Sequence, residues 1–182
     1  MAKLSKLGNK LTAFIEQQHL FFVATAGKDG RVNVSPKGMG ALKVLDDNHI
    51  SWLNLSGSGN ETAAHVLENG RMTLMFCAFE GEAMILRVYG TATVIHPKDK
   101  QWEEASEPFP TTAGNRQIFN LKIDLVQTSC GTGVPIMDFQ SDRVEEELLP
   151  YFDKMGPDGV EKYWHKRNAV SLDGKPTGII KS

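Results

Sequence analysis

The chain alternates short apolar runs with turn-forming residues, and this pattern predicts a protein built mainly from β-strands. The runs are separated by segments such as Lys28-Asp29-Gly30 and Asp46-Asp47-Asn48, which favour tight turns. Residues 119–126 alternate apolar and polar side chains, as a strand with one wet face does. Six or seven strands are expected, and they fall within residues 20–26, 31–34, 41–45, 49–55, 71–79, 83–95 and 119–126.

Helical spacing occurs at both ends of the chain and in short segments between strands. Residues 4–18 carry apolar side chains at helical intervals and predict an amphipathic opening helix. Ser58 and Glu61 have the spacing of a capping box, so a short helix should follow them and end at Asn69-Gly70. Further helices are predicted over residues 97–105, 143–155 and 160–168, followed by a polar tail at 174–182.

This order of elements favours a closed or partly closed antiparallel β-barrel with peripheral helices over a parallel α/β sheet. A bulge or bend is expected at Tyr89-Gly90. The sequence has no internal repeat and no linker-like tract. We therefore expect a single domain over residues 1–182, with a helical C-terminal extension from about residue 143.

Composition and charge narrow the range of partners. The formal net charge is −2 and no block of like charges is present, so nucleic acid is not an expected partner. The longest apolar stretches are far shorter than the roughly 20 residues that span a bilayer. We expect a soluble cytoplasmic protein with no membrane association. Cys77 and Cys130 lie far apart, and both are expected to be reduced thiols in or near the core.

Common catalytic signatures are missing from the sequence. It contains no Gly-rich dinucleotide motif, no P-loop, no nucleophile elbow and no His-Glu-x-x-His zinc motif. The five histidines are scattered and share no short motif with a cysteine or a carboxylate. We therefore predict no metal site, and no catalytic residue can be named.

Two segments have the composition of a ligand site. Asn33-Val34-Ser35-Pro36-Lys37-Gly38 ends a strand with a hydroxyl, a cation and a glycine, which lets a ligand approach the backbone. Residues 54–62 lead from a strand through a Gly/Ser loop into a helix N-terminus, an arrangement that suits a phosphate group. The second segment is equally what a capped helix after a loop would show.

Beyond these segments, the sequence resembles the pyridoxamine 5'-phosphate oxidase-like family of FMN-binding split barrels. The resemblance covers roughly residues 4–139 and depends on the order of several short motifs. These motifs are Phe22-Val23-Ala24-Thr25, Val32-Asn33-Val34-Ser35-Pro36-Lys37-Gly38, Trp52-Leu53-Asn54, Asn69-Gly70-Arg71 and Arg87-Val88-Tyr89-Gly90. The later residues look like those of an uncharacterised branch rather than those of the biosynthetic oxidase.

The resemblance implies a six-stranded antiparallel split barrel that forms a homodimer and holds FMN in clefts between the subunits. By position it implies a set of cofactor-binding residues: Ser35, Lys37, Asn54, Ser56, Asn60, Thr62 and Arg87. Lys37 or Arg87 should supply positive charge for the phosphate.

Two departures from the family concern the phosphate and the substrate. Asn60-Glu61-Thr62 stands where the biosynthetic oxidase has Ser-Arg-Lys, so the phosphate affinity is weaker or its cation comes from elsewhere. The Arg-Leu-x-Pro C-terminus of that oxidase is absent, since this chain ends Gly178-Ile179-Ile180-Lys181-Ser182. Oxidation of pyridoxamine phosphate itself is therefore not expected.

Three functions follow from this interpretation. The first is an FMN-dependent oxidoreductase that acts on an unknown small substrate, with the cofactor performing the redox step. The second is a non-catalytic protein that binds a flavin, a haem or a deazaflavin as a sensor, carrier or stress-related sink. The third is a cofactor-free barrel that acts through its dimer surface. Trp102 and Trp164 could stack on a flavin, although packing is the more common role of a tryptophan.

Overall fold

A computed structural model describes residues 2–180. Met1 lies outside the described residues, as do Lys181 and Ser182 at the end of the predicted polar tail. The elements, in chain order, are β1 (Ala2–Leu4), α1 (Asn9–Glu16), β2 (Phe21–Thr25), β3 (Asn33–Lys37), β4 (Leu42–Asp46), β5 (His49–Leu55), α2 (Glu61–Asn69), β6 (Arg71–Cys77), β7 (Ile85–Ile95), α3 (Trp102–Ser106), β8 (Asn115–Ser129), a π-helical turn (Val144–Leu148) and α4 (Leu149–Arg167).

The strands form one antiparallel sheet in the order β3-β2-β6-β7-β8-β5-β4, and β1 pairs with β8 outside this path. The longest pairing joins β7 to β8, from Ile85 opposite Ser129 to Ile95 opposite Ile118. Its register shifts between Tyr89 and Gly90, which confirms the predicted bulge. A Cβ atom on Gly90 would lie 2.0 Å from the Lys122 carbonyl oxygen, so only glycine fits here.

The sheet curls around a core of aromatic and aliphatic side chains. Three strands lie between β2 and β5 in the sheet. The rings of Phe21 on β2 and Trp52 on β5 are nevertheless in contact, with centroids 6.1 Å apart. Trp52 also stacks on Phe119 of β8 at 4.5 Å. On β8 the buried Leu121 and Ile123 alternate with exposed Lys122 and Asp124, as the sequence predicted. The fold is thus the expected mainly β split barrel, with β3 and β4 at the two ends of the sheet.

Several details of the prediction were wrong. Eight strands are described rather than the expected six or seven, because Ala2–Leu4 forms an additional strand that pairs with Thr128, Gln127 and Val126. The opening helix, predicted over residues 4–18, spans only Asn9–Glu16. Helix α3 is shorter than predicted and begins at Trp102. The capping box does not form: the N-cap of α2 is Asn60, which makes no side-chain cap bond.

The C-terminal part of the chain packs back on the sheet. α4 is broken at Gly156, where φ is 67° and Pro157 follows, so two helical segments are present as predicted. Phe152 of α4 is buried against Gly114, where an added Cβ would lie 3.0 Å from its ring. Between residues 2 and 180, no helix is long and apolar enough to cross a membrane.

Candidate functional site

A cavity of about 820 Å³ lies between β3, the C-terminal end of β5, the loop that leads into α2 and the C-terminal segment. It brings together the two segments that the sequence singled out. Six of the seven predicted site residues line it: Ser35, Lys37, Asn54, Ser56, Asn60 and Thr62.

The strand β3 supplies one wall of the cavity. Its residues alternate, so Asn33, Ser35 and Lys37 share the half-buried face and Val34 and Pro36 the exposed face, and all five line the cavity. The hydroxyl oxygen of Ser35 is buried and has no hydrogen-bond partner within residues 2–180. A buried hydroxyl without a partner is costly, so this atom is a candidate ligand contact.

Arg116 on β8 is a site residue that the sequence analysis missed. It is 3% exposed, lines the cavity and donates from Nη1 to the carbonyl oxygens of Gly57 at 3.3 Å and Gly59 at 2.9 Å. Its Nε has no partner in the described part of the chain. The sequence signal was weak, because Arg116 lies before the apolar alternation that identified this strand.

Two cations in the cavity wall, the half-buried Lys37 and the buried Arg116, lie close enough to interact. Burial lowers the pKa of Lys37 to about 8, and the neighbouring positive charge of Arg116 contributes to this decrease, while Glu61 acts in the opposite direction. Burial also lowers the pKa of Arg116 to about 10. Both groups are still protonated at pH 7. Two cations whose charged forms are disfavoured by their surroundings favour the approach of an anion.

Within the described part of the chain, the loop between β5 and α2 has bonded carbonyls and unbonded N–H groups. Arg116 bonds the carbonyls of Gly57 and Gly59, and the Asn168 amide donates to Gly57 O at 2.9 Å. Among residues 2–180, no hydrogen bond uses the backbone N–H of Gly57, Ser58, Gly59 or Asn60 as its donor. These groups lie at the N-terminus of α2, where the helix dipole favours negative charge.

Three of the predicted residues are bonded to other parts of the protein, although the buried Oδ1 of Asn60 has no partner among residues 2–180. The Ser56 hydroxyl donates to Gly114 O at 3.0 Å and accepts from Trp164 Nε1 at 2.7 Å. Asn54 donates to Gln117 Oε1 at 3.0 Å. Asn60 Nδ2 donates to the Asn168 carbonyl at 3.1 Å. These side chains hold the cavity walls in place.

Thr62 keeps a donor that a ligand can use. Its hydroxyl oxygen accepts from Asn33 Nδ2 at 3.1 Å, which leaves the hydroxyl proton available. Asn33 also donates to Thr25 Oγ1 at 3.3 Å, and Thr25 is in turn 3.1 Å from Nδ1 of the buried His65. Asn33 was not predicted as a site residue, although it lies in the quoted β3 segment.

Arg87 is not brought together with the other predicted residues. It lies on β7, donates to Ser129 Oγ at 3.4 Å and does not line the cavity. Cys77 is buried as expected, but Cys130 is exposed. The prediction of a core position for Cys130 was therefore wrong, because β8 ends at Ser129 and the chain leaves the sheet there.

Comparison of the sequence and the structure with known proteins supports the family resemblance and the fold. The sequence model of the family described as pyridoxamine 5'-phosphate oxidase matches residues 7–130. The chain belongs to the pyridoxamine 5'-phosphate oxidase family. An Aspergillus flavus protein, the pyridoxamine 5'-phosphate oxidase family protein ustO, is 34% identical over 186 residues, which cover 93% of this chain and 75% of that protein.

Solved structures of other proteins have a similar fold. A Lactobacillus delbrueckii protein described as a candidate pyridoxamine 5'-phosphate oxidase is 28% identical, with a TM-score of 0.53, over 70% of this chain and 99% of that chain. HupZ from Group A Streptococcus has a TM-score of 0.54 at 17% identity over 72% of this chain and 99% of that chain. The second similarity concerns the fold alone.

Proposed function

We propose that this chain binds FMN in the cavity and is an FMN-dependent oxidoreductase that acts on a small substrate. The observation that carries the proposal is the convergence of Lys37, Arg116 and the unpaired loop N–H groups at one end of the cavity. A phosphomonoester carries close to two negative charges near pH 7. Cations and oriented N–H donors are the groups that bind such a charge.

The residues present fit the phosphate end of FMN. Lys37, Arg116 and the N–H groups of residues 57–60 would hold the phosphate, with Ser35 and Thr62 as hydroxyl donors. Arg116 compensates for the departure seen in the sequence, since it brings a cation to the loop from β8 instead of from the first turn of α2. When bound, the flavin ring would supply the hydride- or electron-transfer chemistry.

The rest of the cavity fits a larger, less polar group. A volume of about 820 Å³ is within the range of roughly 300–1,000 Å³ typical of small-molecule sites. Val34 and Leu172 at the cavity wall are 60% and 72% exposed. Exposed apolar residues at a cavity mouth favour contact with a ring system or with another protein surface.

We also propose that two copies of the chain form a homodimer with the cavities at the interface. Val32, Val34 and Leu172 support this arrangement because they are large, exposed and adjacent to the cavity. A second copy would cover them and limit access of water.

A non-catalytic role as a carrier or sensor of a flavin, a haem or a deazaflavin is the second candidate. One observation favours a flavin or deazaflavin carrier over a haem carrier: no histidine or cysteine of residues 2–180 lines the cavity as an axial ligand for haem iron. Lys37, with a pKa of about 8, is the cavity group best placed to exchange a proton near neutral pH. A carrier requires no such group.

The test is the visible spectrum of the protein purified without added cofactor, followed by release and chromatographic identification of any chromophore. We expect FMN, and we expect the ligand-free protein to bind FMN more tightly than riboflavin, which lacks the phosphate. Turnover with NADH or NADPH and an acceptor would distinguish the enzyme from the carrier. A colourless protein that fails to bind added FMN would overturn the proposal.

A further inference from the structure

The C-terminal segment contacts the ligand loop through two residues of one helix end. Trp164 lies in the last turn of α4 and Asn168 is its C-cap, with the Asn168 N–H bonded to the Trp164 carbonyl at 2.8 Å. Residues four apart on a helix face the same side. Both side chains therefore reach the loop between β5 and α2, Trp164 at Ser56 and Asn168 at Gly57.

These contacts set which way the loop backbone faces. The Asn168 amide holds the Gly57 carbonyl, and the Asn168 carbonyl in turn accepts from Asn60 Nδ2. Asn168 thus bonds both ends of the loop. The carbonyls of Gly57 and Gly59 are held by Asn168 and Arg116, while the N–H groups of residues 57–60 have no protein partner among residues 2–180.

The contact between Asn168 and the loop is buried, and neighbouring residues of the C-terminal segment add further bonds. Asn168 and Thr177 are 0% exposed, and the Thr177 hydroxyl donates to the Asn168 carbonyl at 2.6 Å. Beyond this point, the Leu172 N–H donates to Glu61 Oε1 at 3.2 Å and Lys175 pairs with Glu68 of α2 at 2.7 Å. The C-terminal segment therefore packs along α2, the helix whose N-terminus lies at the cavity.

We propose that Trp164 and Asn168 are positioning residues that hold the loop of residues 56–60 in its anion-binding conformation, so that phosphate recognition depends on the C-terminal segment. This inference deepens the proposed FMN function and rests on it. The segment lies beyond residue 130, where the match to the family model ends. The proposed anion site is therefore completed by residues outside the region that the family model matches.

The Trp164→Phe variant tests the inference, because it removes the indole N–H and keeps an aromatic ring. Trp102→Phe is the matched control, since Trp102 is also half-buried but packs in a separate cluster with Ala41, Leu53, Phe109 and Ile118. We expect Trp164→Phe to weaken FMN binding about five- to tenfold, as loss of one hydrogen bond does. Riboflavin binding should change less than about twofold, and the control should change neither.

The riboflavin comparison distinguishes positioning from general damage to the fold. Equal losses for FMN and riboflavin, or unchanged FMN affinity, would overturn the role of Trp164. If the wild-type protein binds neither compound, the proposed function fails. The inference about the loop is then tested by measuring the order of the loop backbone directly. NMR order parameters of the Gly57 to Gly59 amides, with and without inorganic phosphate, should then fall in Trp164→Phe and stay unchanged in Trp102→Phe. Equal order parameters in all three proteins would overturn it.

Discussion

The ammonium group of Lys37 lies 5.7 Å from the centroid of the Trp52 ring, over an indole that is itself fully buried. The ring covers one side of the cation and separates it from water, which fits the depressed pKa of about 8 that burial and the charge of Arg116 give Lys37. An aromatic face stabilises a cation by only about 0.5–2 kcal/mol. Lys37 is therefore positioned to lose its proton in a mildly alkaline solution unless an anion binds beside it.

Because of this pKa, FMN affinity should fall as the pH rises from 7 to 9.5. The second pKa of a phosphomonoester is about 6, so the charge of the phosphate hardly changes in this range. Loss of a charged hydrogen-bond partner costs about 1.5–3 kcal/mol, or roughly ten- to hundredfold in affinity once Lys37 is neutral in the complex as well. At pH 9.5, about 1.5 pH units above the pKa of Lys37 in the ligand-free protein, at most about thirtyfold of this is lost. Fluorescence titration of FMN at several pH values measures the change.

The Lys37→Met variant should bind FMN weakly at pH 7 and show little further loss at pH 9.5. Lys122→Met is the control, because Lys122 is exposed on β8 outside the cavity, and it should keep the wild-type profile. A pH dependence of the same size in Lys37→Met would assign the titration to another group.

The same pKa predicts an opposite trend in the stability of the ligand-free protein. The unfolded chain keeps Lys37 near its ordinary pKa of 10.5, while the folded chain loses the proton near 8. Between these values the unfolded state binds more protons, so the contribution of Lys37 to the free energy of unfolding rises with pH. Urea unfolding should show this rise as a difference between wild type and Lys37→Met.

Arg116 should contribute both to phosphate binding and to the structure of the loop. In Arg116→Met the carbonyls of Gly57 and Gly59 lose a charged donor, so we expect FMN affinity to fall by about ten- to hundredfold. Arg116→Lys keeps the charge but loses the planar fork and should recover only part of this loss. Arg71→Met, a change at an exposed arginine, is the control. Full recovery by Arg116→Lys would show that the charge alone matters.

The sequence predicted the features that are local in the chain. The end of α2 at Gly70 follows from its positive φ of 69°, and the bulge at Gly90 follows from the close approach of Lys122 O. The strand before Ser35 and Lys37 was also predicted, but with the wrong bounds: it was expected over residues 31–34, whereas β3 spans Asn33–Lys37 and includes both residues. These features depend mainly on residues that are close together in the sequence or on the conformational freedom of a single glycine.

The parts of the site that were missed depend on contacts between distant residues. Arg116 meets Gly57 and Gly59 only because β8 pairs with β5 in the sheet. The capping box at Ser58 failed because Asn60 is held by Asn168, which lies 108 residues away in the sequence. The strand Ala2–Leu4 is too short to show an alternation of its own and exists through its pairing with β8.

Removal of the Ser35 hydroxyl should lower the affinity for FMN without lowering the stability of the ligand-free protein. This buried hydroxyl has no partner among the described residues, so Ser35→Ala should leave the ligand-free protein as stable as wild type or more stable by about 1 kcal/mol. FMN affinity should fall about fivefold if the hydroxyl meets the phosphate. Ser51→Ala, a buried serine on β5 outside the cavity wall, should leave FMN affinity unchanged. Tighter FMN binding by Ser35→Ala would remove Ser35 from the site.

The homodimer proposal predicts that a charge at the cavity mouth will separate the subunits. Val34 is 60% exposed on the end strand β3, and a buried carboxylate in an apolar interface is costly. Light scattering after size exclusion should give about twice the chain mass of 20.1 kDa for the wild type and the single-chain mass for Val34→Glu.

Leu45→Glu is the matched control for the subunit interface, because Leu45 is 55% exposed on β4, at the other end of the sheet, and does not line the cavity. It should remain dimeric with unchanged FMN affinity, whereas Val34→Glu should lose both. If FMN binding also needs the second copy, the affinity of the wild type will fall on dilution below the dimer dissociation constant. A wild-type monomer that binds FMN tightly at all concentrations would show that one chain suffices for the site.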